Sequence, residues 1–171
     1  MKSTQSALLA LSLLVLGACG PSVRMTVEQR DARGGVIQRF DVTSTDTGPR
    51  TFNVSSSDVI RVTATAEHRD GLQRLWIEGE ENCFDPVGSS VPGGVGTSQS
   101  GLLLAPPPSG NAIPANTTPT RFSFTADFSV NCNRAGYDMS LRAGAPSLPV
   151  TGLFGGGPAT AFTQPALFSK P

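Results

Sequence analysis

From Arg121 to Cys132 the chain alternates without a break. Phe122, Phe124, Ala126, Phe128, Val130 and Cys132 fall on one side, and Arg121, Ser123, Thr125, Asp127, Ser129 and Asn131 on the other. This pattern requires a strand with one face in a core and one in water, because a helical period of about 3.6 would scatter the phenylalanines around the axis. Tyr137 to Arg142 alternates again, and Asn133-Arg134-Ala135-Gly136 between the two runs has hairpin-turn chemistry. Earlier, Ile60, Val62, Ala64 and Ala66 alternate with Arg61, Thr63 and Thr65; Asp70-Gly71 predicts a turn, and Leu72 to Ile77 the next strand. Met25 and Val27 sit among polar neighbours, Arg33-Gly34-Gly35 turns the chain into Val36 to Val42, and Thr51 to Val54 adds a short strand. No window beyond the first 18 residues shows a helical period. Short strands separated by turns predict an all-β fold, an antiparallel sandwich or, as the alternative, a small antiparallel β-barrel.

The chain has 171 residues, enough for one domain with a real core and too few for two comfortable ones. Its 13 basic and 13 acidic side chains balance, so there is no basic excess of the kind that nucleic acid requires. Most of the 19 glycines and 14 prolines lie in two segments, 86–120 and 143–171, whose only charged side chain is Lys170. The first predicts a Gly/Pro/Ser-rich insertion, with a stiff Pro106-Pro107-Pro108 stretch. The second predicts a tail from 144 carrying three apolar pairs, Leu153-Phe154, Ala161-Phe162 and Leu167-Phe168, available to dock on the domain or on a partner.

The N-terminus has a different character. Lys2 precedes an apolar run from Ala7 to Leu16, too short to cross a bilayer as a helix, which takes about 20 residues, but suited to the core of a signal peptide. The run ends in Leu16-Gly17-Ala18-Cys19, which resembles the lipobox of bacterial lipoprotein precursors. The resemblance implies that residues 1–18 form a signal helix cleaved between Ala18 and Cys19. It also implies that Cys19 receives the acyl chains that hold the protein to a lipid bilayer, with 19–23 as anchor and tether. Gly20 stands where an aspartate would mark inner-membrane retention, so in a host with two membranes the resemblance implies the outer one.

A second resemblance covers about residues 24–143. The alternating strand, Asp70-Gly71, alternating strand of Val62 to Ile77, together with the late pair ending in Tyr137 to Ala143, is similar to the core of bacterial immunoglobulin-like domains. It implies an immunoglobulin-like β-sandwich. The cysteines depart from the antibody pattern, since Cys83 follows the second of these strands.

Cys83 and Cys132 form an even pair in a compartment where disulfides persist, and they read as one structural bridge. The sequence leaves open whether it crosses between sheets or pins a loop to a strand. There is no CxxC, and the one histidine, His68, lies in a predicted turn beside Glu67, Arg69 and Asp70, so neither a metal site nor a catalytic base is expected. Glu78, Glu80, Glu81 and Asp85 read as a solvated cluster in preference to paired catalytic carboxylates or a calcium site. No nucleophile elbow, phosphate loop or dinucleotide fingerprint occurs. Trp76 is the one candidate ligand-binding residue. It alternates with Leu75 and Ile77 and shares a face with Arg74 and Glu78, which leaves a core or an exposed position open.

The expectation is therefore a lipoprotein of the bacterial envelope acting as a non-catalytic interaction or structural module, without a cofactor, meeting an envelope protein through its loops or tail. The alternatives are a binding protein for a glycan, peptide or lipid, and, last, a hydrolase.

Overall fold

The computed structural model describes residues 20–83, 99–106, 110–130, 137–148 and 159–170. The described chain is all-β and forms a two-sheet sandwich. One sheet holds four antiparallel strands in the order β2-β1-β4-β7: β1 (Ser22–Arg30), β2 (Val36–Thr43), β4 (Val59–Glu67) and β7 (Arg121–Ser129). The other runs β3-β10-β8-β5-β6: β3 (Arg50–Asn53), β5 (Trp76–Cys83), β6 (Gln99–Ala105), β8 (Tyr137–Pro146) and β10 (Ala166–Lys170), with β9 (Thr160–Phe162) also pairing β8. β3 and β10 are parallel and every other pairing is antiparallel. The sheets are open at their edges, so the barrel alternative does not hold. The chain crosses between the sheets after β4 and again after β7, so that β4 and β7 pair in one sheet and β5, β8 and β10 lie side by side in the other.

Period-two patterning produces the core. Val23, Met25 and Val27 of β1 and Ile60, Val62, Ala64 and Ala66 of β4 are buried, facing Ile77 of β5 and Tyr137, Met139, Leu141, Ala143 and Ala145 of β8. On the β7 edge the register sets large against small: Phe122 opposes Ala66, Phe124 opposes Ala64 and Ala126 opposes Val62. Those phenylalanines are only half-buried, as an edge strand dictates. Phe40 of β2 stacks on Phe52 of β3 at 3.7 Å between ring centroids, tying the two sheets together along their opposite side. The β1–β2 turn forms as expected: Gly34 takes φ +83°, and Asp31 Oδ1 accepts the N–H groups of Arg33 and Gly35 at 2.8 Å each.

Three expectations need correction. The predicted β7–β8 hairpin is a crossover, because its two strands lie in different sheets; alternation reveals a strand's faces but not its neighbours. The strand expected from Leu72 starts at Trp76, since Leu72 to Leu75 bond instead to the returning segment around 111–119 and to Ser147. The expected tail belongs to the domain, with 160–162 and 166–170 flanking β8 as β9 and β10. Likewise 99–105 of the expected insertion is β6, and Ile113 is buried. The signal segment 1–18, Cys19 and Leu153-Phe154 lie outside the described residues.

The sandwich has two distinct ends. One carries Ser22, Glu67 and Arg121, aligned in register across β1, β4 and β7, with the turn His68–Gly71 and the isolated bridge Leu72–Ser147. The other carries the β1–β2 turn, the start of β4, Tyr137 and Cys83.

Candidate functional site

The outward face of the six-stranded sheet carries the site. Ile77 enters the core, so Trp76 and Glu78 point the other way, and on β8 the outward set is Asp138, Ser140, Arg142 and Gly144. Register then places Trp76, Gly144 and Phe162 in one row across β5, β8 and β9. Gly144 offers no side chain, and the two flanking aromatics close over it at 5.7 Å in an edge-to-face arrangement. A Cβ at residue 144 would lie 2.7 Å from both rings. Trp76 is thereby 9% exposed while lying outside the main core, which resolves the alternative left open by its alternation.

Charged groups lock the row. Trp76 Nε1 donates to Glu78 Oε2 at 2.6 Å, and Arg142 Nε donates to Glu78 Oε1 at 2.8 Å. The Arg142 guanidinium covers the Phe162 ring at 4.5 Å, and that of Arg74 covers Trp76 at 4.9 Å while its Nε donates to Gly110 O at 3.0 Å. The Trp76 plate is thus covered on the protein's own account.

Below this row the sheet is concave. A depression of about 530 Å³ has Glu78, Glu80, Ser140 and Arg142 on its floor, Leu102 on one flank and Phe162 to Pro165 on the other. The wall arises where the chain steps from β9 to β10. There Thr163 is buried, its Oγ1 accepts the Ala143 N–H at 3.1 Å, and its own N–H bonds Ala143 O at 3.0 Å, so one residue satisfies the backbone while Gln164 and Pro165 line the depression and the Gln164 N–H bonds Thr43 O at 3.0 Å. Leu102, on β6, is 78% exposed at the rim.

The other sequence-predicted groups are dispersed. His68 lies in the β4–β5 turn, its Nδ1 accepting from the Asp70 N–H at 3.3 Å. Glu78 and Glu80 face the depression, but Glu81 lies toward the buried Tyr137. Burial, and next the Glu81 charge and hydrogen bond, push the Tyr137 phenol far above its ordinary range. Cys83 is disulfide-bonded; Cys132, Asp85, Ala18 and Cys19 lie outside the described residues. Among the described residues no group of three or more His, Cys, Asp or Glu could hold a metal ion, and no helix is long and apolar enough to cross a membrane.

No protein-family model and no curated protein matches this chain. Sequence reasoning singled out Trp76 as a candidate ligand-binding residue and Phe162 only as part of an apolar pair; it did not single out Gly144, Arg142 or the Thr163–Pro165 step as parts of one row. The available signal was Phe162 beside a turn-forming Thr-Gln-Pro, which marks a step between two short strands and not a tail.

Proposed function

We propose that the protein is a lipoprotein of the bacterial envelope, anchored through acylated Cys19, and that it works as a non-catalytic interaction module with an immunoglobulin-like sandwich. The observation that carries the non-catalytic part is the state of Glu78. Both oxygens of the best-placed carboxylate are engaged, one by Trp76 and one by Arg142, which supports a structural role for it in holding the aromatic row. The lipobox supports the anchor, and Gly20 after the cysteine supports an outer-membrane address where two membranes exist.

A second reading has a specific observation behind it. The depression combines Glu80, Ser140 and Gln164, polar groups able to bond a ligand, with the apolar flanks Leu102 and Pro165. That mixture suits an envelope glycan or an extended peptide lying across the sheet. The described part of the former tail is committed to β9 and β10, so a protein partner would meet this face, a sheet edge or the loops.

One experiment tests the anchor and the module together. In cells fed labelled palmitate, the wild-type chain should carry label and fractionate with membranes, and Cys19→Ser should lose both. Cross-linking in the same cells should capture an envelope component with the wild type. An unlabelled wild-type chain would overturn the anchor; hydrolytic activity abolished by Glu78→Gln would overturn the non-catalytic reading.

A further inference from the structure

The lipid anchor and the first strand are almost contiguous. Gly20 lies close to Ala159, where an added Cβ would sit 3.5 Å from the Ala159 Cβ; Pro21 is buried, and β1 begins at Ser22. The chain from Cys19 to Ser22 spans three Cα steps, a reach of about 10 Å at most. β1 has nine residues, and at about 3.3 Å each the sandwich is roughly 30 Å long. A tether a third as long as the body it holds, and already docked on that body, cannot let the domain turn freely.

We infer that the Ser22 end of the sandwich rests on the phospholipid headgroups, with the Cys83 end about 30 Å away. This rests on the reading of Cys19 as the acylated residue. The surface so placed suits the task. Arg69 and Arg121 project there with side chains 77% and 72% exposed, each beside a single carboxylate, Asp70 and Glu67 respectively. Guanidinium groups can bond two phosphate oxygens at once and exchange a solvated carboxylate for a headgroup at little cost. The turn that carries Arg69 is rigid: the His68 N–H bonds Thr120 O at 2.8 Å, Gly71 takes φ +98°, and Leu148 N–H bonds Gly71 O at 3.2 Å. The end is therefore a fixed platform, and the depression around Glu80 and Arg142 opens sideways, along the membrane plane, within reach of a component on the same leaflet.

The test uses the full acylated protein on nanodiscs of phosphatidylethanolamine and phosphatidylglycerol containing a gadolinium-chelating lipid. Amide signals of His68–Gly71 and Pro119–Arg121 that carry N–H groups should be lost to paramagnetic broadening, while those of Asp31–Val36 and Ser55–Asp58 keep their intensity. Inserting a ten-residue Gly/Ser spacer between Gly20 and Pro21 should make the broadening weak and even at both ends. Broadening already even in the wild type, or strongest at Asp31–Val36, would overturn the orientation. Absence of acyl mass on Cys19 would instead overturn the anchor on which it rests, so the two failures are distinguishable.

Discussion

The two outer faces of the sandwich are built from similar strands and behave as opposites. The four-stranded face is a ladder of matched polar pairs. Arg61 bonds Asp127 through two contacts at 2.7 Å, Thr63 meets Thr125 at 2.9 Å, Thr65 meets Ser123 at 2.9 Å, and Arg121 pairs Glu67 at 3.2 Å. β4 and β7 keep an unshifted register over all nine pairs, so the side chains fall opposite each other and bond one another. On the six-stranded face a glycine and a broken strand interrupt the pattern, and the interruption creates both the Trp76–Phe162 lock and the hollow beside it. Regular register yields a surface that satisfies itself. Irregularity is what leaves room for another molecule.

Removing a side chain should therefore cost far more on one face than on the other. Trp76→Ala should lower stability by about 3 kcal/mol, because it uncovers Gly144 and Phe162 and strands Glu78 and Arg142. Thr63→Ala, in the ladder, should cost about 0.5 kcal/mol. Gly144→Ala sharpens the comparison without deleting any contact. Its Cβ would lie 2.7 Å from both rings, and forcing them apart should cost about 2 kcal/mol. Urea unfolding followed by circular dichroism measures all three. A Trp76→Ala loss no greater than that of Thr63→Ala would dissolve the distinction between the faces.

The same contrast explains how much could be read from sequence. The β7 alternation is complete, and the structure places Phe122, Phe124, Ala126 and Phe128 toward the core side as the alternation requires. A solvated regular face imprints itself on local sequence because each residue answers only to water or to the core. The lock answers to residues far along the chain. Glu78 and Arg142 are 64 positions apart, and Gly144 is legible as a site only when β5 and β9 are known to flank it. That information belongs to strand order, which hinges on crossovers with no local signature. The Gly/Pro-rich ends of the chain misled for the same reason: Ala161, Ala166 and Phe168 enter the sandwich only because β8 supplies an edge for them.

The interior gives an intermediate effect. Tyr137 is the chain's one tyrosine, so its ionisation can be followed without overlap. Its folded pKa is raised above the ordinary 10.0, first by burial and then by Glu81. The neutral phenol's contribution is therefore full below about pH 10 and is lost as pH rises through the folded value. Tyrosinate absorbance should stay absent in the native protein past pH 10 and emerge together with unfolding. Glu81→Gln should bring it in at lower pH by removing the adjacent negative charge. A phenol titrating freely near 10.0 would mean that the Cys83 end is open to solvent.

The smallest effect should come from the ladder's charges, and its direction is fixed by their arrangement. Asp127 is held below its ordinary 3.8 chiefly by the hydrogen bond from Arg61, and Glu28 below 4.5 chiefly by that from Arg30. A depressed carboxylate stabilises the fold above its unfolded pKa, and that stability is lost as pH falls through the folded value. Acid should therefore weaken this face only below about pH 4. Arg61→Gln should return the Asp127 midpoint toward 3.8 in a carboxyl-carbon NMR titration, while Glu28, whose main partner is Arg30, moves much less. The pair is exposed, with side chains 39% and 44% accessible, so water should absorb most of the change and the fold should persist. An Asp127 midpoint that does not move would show that the ladder's order owes little to its ion pairs. Movement confined to Asp127 would show the independence of neighbouring rungs that the Trp76 lock, by its geometry, does not have.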